Sequence, residues 1–309
     1  MGLNTKNRVV IWGLRNVSHT HRYIHKGFYE TFVRLGFDCH WVDDQASANE
    51  LLTPDTVVIT VNLACEKLQY RADVKYILHN VEREEFRNRN NVLMLQVLTT
   101  DSTGEAIDGT VALYNKEQRT LYQPWGIPSE PEDWLSPNPN PGKTEFWVGS
   151  VWNNPENQGN LVTIADYSAA LEARGYRFKK ANKMKLGVPA FLGGKGVWLA
   201  NSISDDDAAA LIYKSPFGAA VVGEWQKEHG YVPCRLFKNV AAGHIPSSNA
   251  DFTSIFQSTF VGNTSYSEMI NTLEGVSVKD RVSLVGEAQR EMGPYTYSKA
   301  IERLLNHVL

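Results

Sequence analysis

The hydrophobic positions of this chain fall in short unbroken runs separated by amphipathic stretches, a pattern that predicts a layered α/β protein. Residues 8–13 (RVVIWG), 56–61 (TVVITV) and 75–79 (KYILH) are apolar at consecutive positions, as strands buried on both faces of a parallel sheet are. Residues 21–35 show helical spacing and stop at Gly36, and residues 38–42 (DCHWV) supply the next strand. Weaker strand signals follow at 92–97 and 110–113. A βαβ opening of this kind starts a doubly wound sheet, whose ligands sit beyond the carboxyl ends of the strands. The loop after the first strand reads GLRNVSHTH and lacks GxGxxG, so a dinucleotide site is not supported.

Residues 129–142 (SEPEDWLSPNPNPG) hold four of the thirteen prolines and read as a linker, because proline denies the chain both helix and central strand. The same logic then restarts. Residues 145–149 (EFWVG) predict a strand, 161–174 a helix ending at Gly175, and 176–180 (YRFKK) another strand. Ser204 with Asp205, Asp206 and Asp207 reads as an N-cap and an acidic first turn rather than a metal site, followed by a strand over 218–223. Residues 267–273, 279–291 and 297–309 read as helices, with Pro294 as the interruption.

The most informative stretch is 229–249 (HGYVPCRLFKNVAAGHIPSSN). Leu236, Phe237, Val240 and Ala241 make one apolar stripe, Pro233 precedes the helix, and Gly243 stands at its C-cap. Arg235, Lys238 and Asn239 occupy its first turns. A helix start carries partial positive charge and unpaired N–H groups, and two cations there suit a phosphate. The spacing fits a solvated surface helix equally well.

Composition narrows the classes. At 309 residues, 42% hydrophobic and 21% charged, the chain is long enough for two ordinary globular domains. A net charge of -3 argues against a general nucleic-acid binder. Cys39, Cys65 and Cys234 are odd in number and lack CxxC spacing, so neither a disulfide framework nor a zinc site is expected. With no apolar leader and no run of about 18 apolar residues, the expectation is a cytoplasmic protein without a membrane span.

RLFKNVAAGHIP (235–246) resembles the donor-site helix of GT-B glycosyltransferases, and two Rossmann-like halves joined by a proline-rich linker resemble that architecture over most of the chain. The resemblance implies an α/β fold of two Rossmann-like domains with an interdomain cleft and a C-terminal helix crossing back. The expected division is 1–128 (acceptor domain), 129–142 (linker), 143–292 (donor domain) and 293–309 (terminal helix). It implies a nucleotide-diphosphate sugar as donor and a glycan or other hydroxyl as acceptor. Arg235 and Lys238 would hold the diphosphate, with Asn239, Ser247, Ser248 and Asn249 beside them. Gly149, Ser150 and Trp152 would line the same site, the glycine admitting phosphate and the indole stacking on a base or sugar. Inverting GT-B enzymes of several families carry a base at the start of the first helix, which makes His19 or His21 the candidate. Arg15, His79 and Asn80 are acceptor-side candidates, together with Glu82, Glu84 and Glu85.

His21 and His25 also have the i, i+4 spacing of a zinc pair, but no third ligand follows from spacing, so no metal cofactor is expected. Two departures from the family stand out. The glutamate pair eight apart of many retaining members is missing, since Glu224 and Glu228 are four apart, which favours inversion. The N-terminal glycine-rich loop is missing too. A nucleotide-sugar epimerase of the same fold, or a non-catalytic nucleotide- or sugar-binding protein, remains the alternative.

Overall fold

The computed structural model describes residues 7–16, 20–61, 70–80, 86, 89–98, 102–109, 111–153, 156, 159–180, 204–262 and 265–308. The chain divides into two compact units, Met1–Pro128 with Pro294–Leu309, and Ser129–Gly293. The described helices are α1 (Thr20–Arg34), α2 (Gln45–Leu51), α3 (Leu161–Glu172), α4 (Asp205–Lys214), α5 (Glu224–Glu228), α6 (Cys234–Ala241), α7 (Tyr266–Gly275), α8 (Val278–Met292) and α9 (Tyr297–Val308).

The first unit is built on strands β1 (Val9–Trp12), β2 (Cys39–Val42), β3 (Val57–Val61), β4 (Lys75–His79), β5 (Val92–Gln96), β6 (Glu105–Ile107), β7 (Ala112–Asn115) and β8 (Thr120–Tyr122). They form one sheet in the order β2-β1-β3-β4-β5-β8-β7-β6. The first six in that order run parallel, and β7 and β6 are added antiparallel. The unbroken apolar runs are explained by burial on both faces, and every residue of β1 and β3 is buried. On one face Val10, Trp12, Val58, Tyr76, Leu78 and Met94 pack with Ala48 and Leu52. Each such aliphatic side chain contributes roughly 1.5–3 kcal/mol on burial. Ala48 belongs to α2, which hydrophobic periodicity did not reveal. It is short, and Asp44 caps it by accepting the Ser47 N–H at 2.7 Å.

The terminal helix α9 packs on α1, β4 and β5 of this unit. The chain around Ile127 and Thr296 pairs as a parallel bridge, with Ile127 N donating to Tyr295 O (3.1 Å) and Tyr297 N to Ile127 O (2.8 Å). Arg303 of α9 is 4% exposed and donates to Gln123 Oε1 (2.9 Å), Asp108 Oδ2 (3.0 Å) and Pro294 O (3.0 Å).

In the second unit β9 (Thr144–Trp147) pairs parallel with β10 (Arg177–Lys180), and β11 (Ser247–Ser248) with β12 (Val261–Gly262). Residues 218–223, expected as a strand, are buried but carry no strand ladder. Side chains replace most of the backbone partners. Glu145 of β9 accepts from Gly218 N (3.0 Å) and Phe217 N (3.2 Å), and Asn239 Nδ2 donates to Gly218 O. On the other edge Ala220 N reaches Ser247 O (2.8 Å) and Ser248 Oγ reaches Ala220 O (2.7 Å). Asn249 brackets Val222, its Oδ1 accepting from Val222 N (2.8 Å) and its Nδ2 donating to Val222 O (2.9 Å). The ladder is thus broken by polar side chains that compete for the same backbone groups.

Residues 129–142 are not a free tether. Leu135 N bonds Ala241 O (2.7 Å), Asn138 Nδ2 bonds Tyr213 O (3.1 Å) and Gly142 N bonds Lys214 O (3.1 Å), so the few donors left between the prolines fix the segment on the second unit.

Candidate functional site

In the second unit the carboxyl end of β9 and the start of α6 meet through one side chain. Arg235 lays its guanidinium over Trp147, with Cζ 3.3 Å from the ring centroid, and its Nε donates to Val148 O at 2.9 Å. Its outer nitrogen lies against Gly149, at φ +141°, where a Cβ would collide with it. Only glycine permits that approach. Burial pulls Arg235 down to about 9, with Tyr231 and Cys234 acting weakly against that, so the group stays cationic at neutral pH. Among the described residues no carboxylate pairs with it. Two further buried polar atoms have no hydrogen-bond partner, Trp147 Nε1 and Ser247 Oγ. Pro233, the N-cap of α6, gives no side-chain cap, so the helix start is not closed off by its own sequence.

The loop after Gly149 is held by Asn160. Its Oδ1 accepts from Trp152 N (3.0 Å), its Nδ2 donates to Ser150 O (3.2 Å), and its backbone N bonds Trp152 O (3.0 Å). Ser150 and Trp152 are therefore fixed beside the first turn of α3, and Gly149, just before them, lies against Arg235. Lys238 falls in the last turn of α6, because the helix is only eight residues long and Gly243 ends it at φ +87°. Its charge still reaches the helix start, where it favours the thiolate of Cys234 against the effect of burial. Asn239, Ser248 and Asn249 are buried and spend their side chains on the broken ladder around 218–222. The structure thus brings Gly149 and Arg235 together, with Ser150 and Trp152 in the loop that Asn160 holds, while Asn239 and Asn249 bond the backbone of 218–222.

In the first unit three imidazoles meet where β4 ends and α1 begins. His25 and His79 are fully buried, their Nε2 atoms 2.7 Å apart, and His25 Nδ1 lies 2.9 Å from Gly13 O. The His21 ring, half-buried one turn earlier on α1, has its centroid 5.4 Å from that of His79, and Trp125 packs edge-on against both. Burial lowers His25 to about 4 and holds His79 well below the ordinary imidazole range. Two nitrogens bound tetrahedrally to one zinc stand about 3.3 Å apart, so the 2.7 Å contact is a hydrogen bond. Among the described residues no three His, Cys, Asp or Glu side chains are disposed to hold a metal ion.

Arg15 is tied back: its N–H bonds Asp43 Oδ1 (2.7 Å) and its Nη1 bonds Trp41 O (2.9 Å). Asn80 follows β4 at φ +54° with Oδ1 buried and unbonded. Ser18, His19, Glu82, Glu84 and Glu85 lie outside the described residues.

No protein-family model matches the chain, and no curated protein sequence does. Among solved structures it is similar to an alpha-glucosyltransferase in complex with UDP and a 13-mer DNA containing an HMU base. The TM-score is 0.58 at 10% identity, over 98% of this chain and 99% of that one. It is also similar to a UDP-forming alpha,alpha-trehalose-phosphate synthase from Burkholderia xenovorans, at TM-score 0.50 and 12% identity over 98% of both chains. The fold is GT-B.

In this GT-B chain two groups of residues escaped sequence reasoning. Trp147 and Asn160 fix the Arg235 site from β9 and the start of α3, yet a tryptophan closing a strand and an asparagine before a helix look ordinary. The His25–His79 pair spans 54 positions. Its one signal was a histidine ending a run of apolar strand residues at 79, which needs a buried partner.

Proposed function

We propose that this chain is a glycosyltransferase that moves a sugar from a nucleoside-diphosphate donor to an acceptor hydroxyl, with inversion and without a metal. The observation that carries the reading is Arg235, a cation packed on Trp147 against a glycine and, among the described residues, paired with no carboxylate. Such a group is stabilised by an anion, and a diphosphate bound there would receive both its charge and the open N–H groups at the start of α6. Two solved structures of like fold are UDP-linked, which points to a uridine nucleotide as the first donor to test.

The acceptor O–H gives its proton to His21, and the oxygen lone pair forms a bond to the anomeric carbon. The bond from that carbon to the diphosphate oxygen breaks, and its electron pair leaves with the nucleoside diphosphate, whose charge Arg235 offsets. Arg235 takes the part a divalent cation plays in metal-dependent transferases.

The experiment is calorimetric titration of UDP and a panel of UDP-sugars into the wild-type chain and Arg235→Ala, followed by assay for donor hydrolysis and transfer. Saturable UDP binding lost in Arg235→Ala, with sugar release, supports the reading. Absence of any nucleotide binding ends it, and binding without hydrolysis, transfer or epimerisation makes the chain a binding protein.

A further inference from the structure

The buried imidazole pair in the first unit has one proton arrangement only. Gly13 O can only accept, and it takes Trp41 Nε1–H (3.0 Å) as well as His25. His25 Nδ1 therefore carries a hydrogen. A neutral imidazole has one N–H, and burial keeps His25 neutral, so its Nε2 is a bare acceptor. The 2.7 Å contact then requires the hydrogen on His79 Nε2. His79 is also neutral, which leaves its Nδ1 as a lone pair, and that atom is buried with no hydrogen-bond partner. Geometry and burial together leave an unused acceptor nitrogen on His79, whose ring lies beside that of His21.

We propose that His79, locked by His25 and Gly13, is a positioning residue that presents its bare Nδ1 to the imidazolium form of His21. Ring centroids of the hydrogen-bonded His25–His79 pair are 5.0 Å apart, and those of His21 and His79 are 5.4 Å apart. Once His21 has taken a proton it can donate to the acceptor, while neutral His21 gains less, so the interaction favours the charged form. A buried carboxylate usually does this for a catalytic histidine. Here a neutral imidazole does it, without a buried charge.

Among the described residues the other charged and titratable groups around the trio are few. Asp43, beyond β2, takes the backbone N–H groups of Arg15 (2.7 Å) and Asn16 (2.8 Å) and weakly favours protonated His25. Arg15 is turned to Trp41 O and Arg22 to Arg15 O (2.9 Å). On the remaining sides Trp125 and Phe28 are uncharged, and Tyr297 of α9 stacks on Phe28 at 4.7 Å.

The inference rests on the transferase reading only for the catalytic role of His21, so its test is read without turnover. The full chain, labelled with 15N-histidine, is titrated by long-range 1H–15N correlation between pH 5 and 9. The expected result is His25 as the Nδ1–H tautomer, His79 as Nε2–H, neither titrating, and His21 titrating. In His79→Phe the His21 midpoint should fall by roughly one pH unit. In His79→Gln it should hold, since the amide donates to His25 and its oxygen replaces Nδ1. A wild-type His79 carrying Nδ1–H overturns the proposal with no variant needed, and so does a His21 midpoint unmoved in a folded His79→Phe. If UDP-sugar turnover is found, the acidic limb of its kcat/KM profile should move with the His21 midpoint. A chain that fails to turn over leaves the NMR result standing, so the two readings fail separately.

Discussion

Glu145 holds the N–H of Gly218 at 3.0 Å from inside the second unit, and it does so with a carboxyl that burial raises to about 7 against the opposing pull of its backbone donors. A strand would have met this segment with its own carbonyls. The acidic side chain does the work instead, and that makes the unit pH-sensitive.

The sign follows from the direction of the shift. A group whose folded value lies above its unfolded one contributes stability that is complete below about pH 4.5 and is lost as pH rises through about 7. Between pH 5 and 8 the second unit should lose on the order of 1–3 kcal/mol from this group, by the conversion of about 1.36 kcal/mol per pKa unit. Denaturant unfolding of the second unit at several pH values measures it, and Glu145→Gln should flatten that slope. Glu145→Ala should cost roughly 2–5 kcal/mol at any pH, because two buried N–H groups lose their acceptor.

The opposite slope belongs to the buried histidines. His25 and His244 are both pulled down to about 4 by burial, their ring nitrogens held by Gly13 O and by Ile212 O at 2.7 Å. Unfolded, each takes a proton near pH 6.5, so the stability they give by staying neutral is present above that pH and is lost as pH falls through 4. Thermal melting should therefore drop on the acid side between pH 6.5 and 4. His244→Gln should lessen the drop. A melting point flat down to pH 4 in Glu145→Gln, where the opposing carboxyl is removed, contradicts it.

Much of the fold was legible, and the reasons differ by element. Runs such as VVITV are buried on both faces, so burial and sequence carry the same information, and β1, β3 and β4 sit within a residue of their expected bounds. The segment 218–223 looked the same and is not a strand, because Glu145, Ser248 and Asn249, remote in sequence, occupy its backbone groups. Arg235 and Gly149 were both singled out, yet their contact across 86 positions needed coordinates. Lys238 was expected in the first turns of α6 and falls in its last turn, because spacing does not say how short a helix is.

Contact between Arg235 and Gly149 predicts a sharp substitution pattern. Gly149→Ala forces a side chain into a φ of +141° and into the guanidinium, so the cation must move. Binding of UDP should weaken at least about tenfold, which is about 1.4 kcal/mol. Arg235→Lys should lose as much, since an ammonium cannot both stack a planar face on Trp147 and donate to Val148 O as Nε does. Calorimetric titration of UDP into the three proteins gives the comparison, and full affinity in Arg235→Lys would show that charge alone matters.

The last prediction concerns Arg303, which ties α9 to the first unit through three acceptors of unequal worth. Asp108 is paired with it at 3.0 Å, but that carboxylate is 55% exposed, so water competes for it. Asp108→Ala should cost under about 1 kcal/mol, as exposed pairs do. Gln123 is 2% exposed, and its Oε1 has Arg303 Nε as donor at 2.9 Å. Arg303→Met keeps the bulk of the stem and removes every donor, leaving Gln123 Oε1 and Pro294 O unbonded. Its cost should be roughly 2–5 kcal/mol, several times that of the Asp108 change. Urea unfolding of the two variants separates charge from burial: equal losses would mean that the ion pair, rather than the buried hydrogen bonds, fastens the terminal helix.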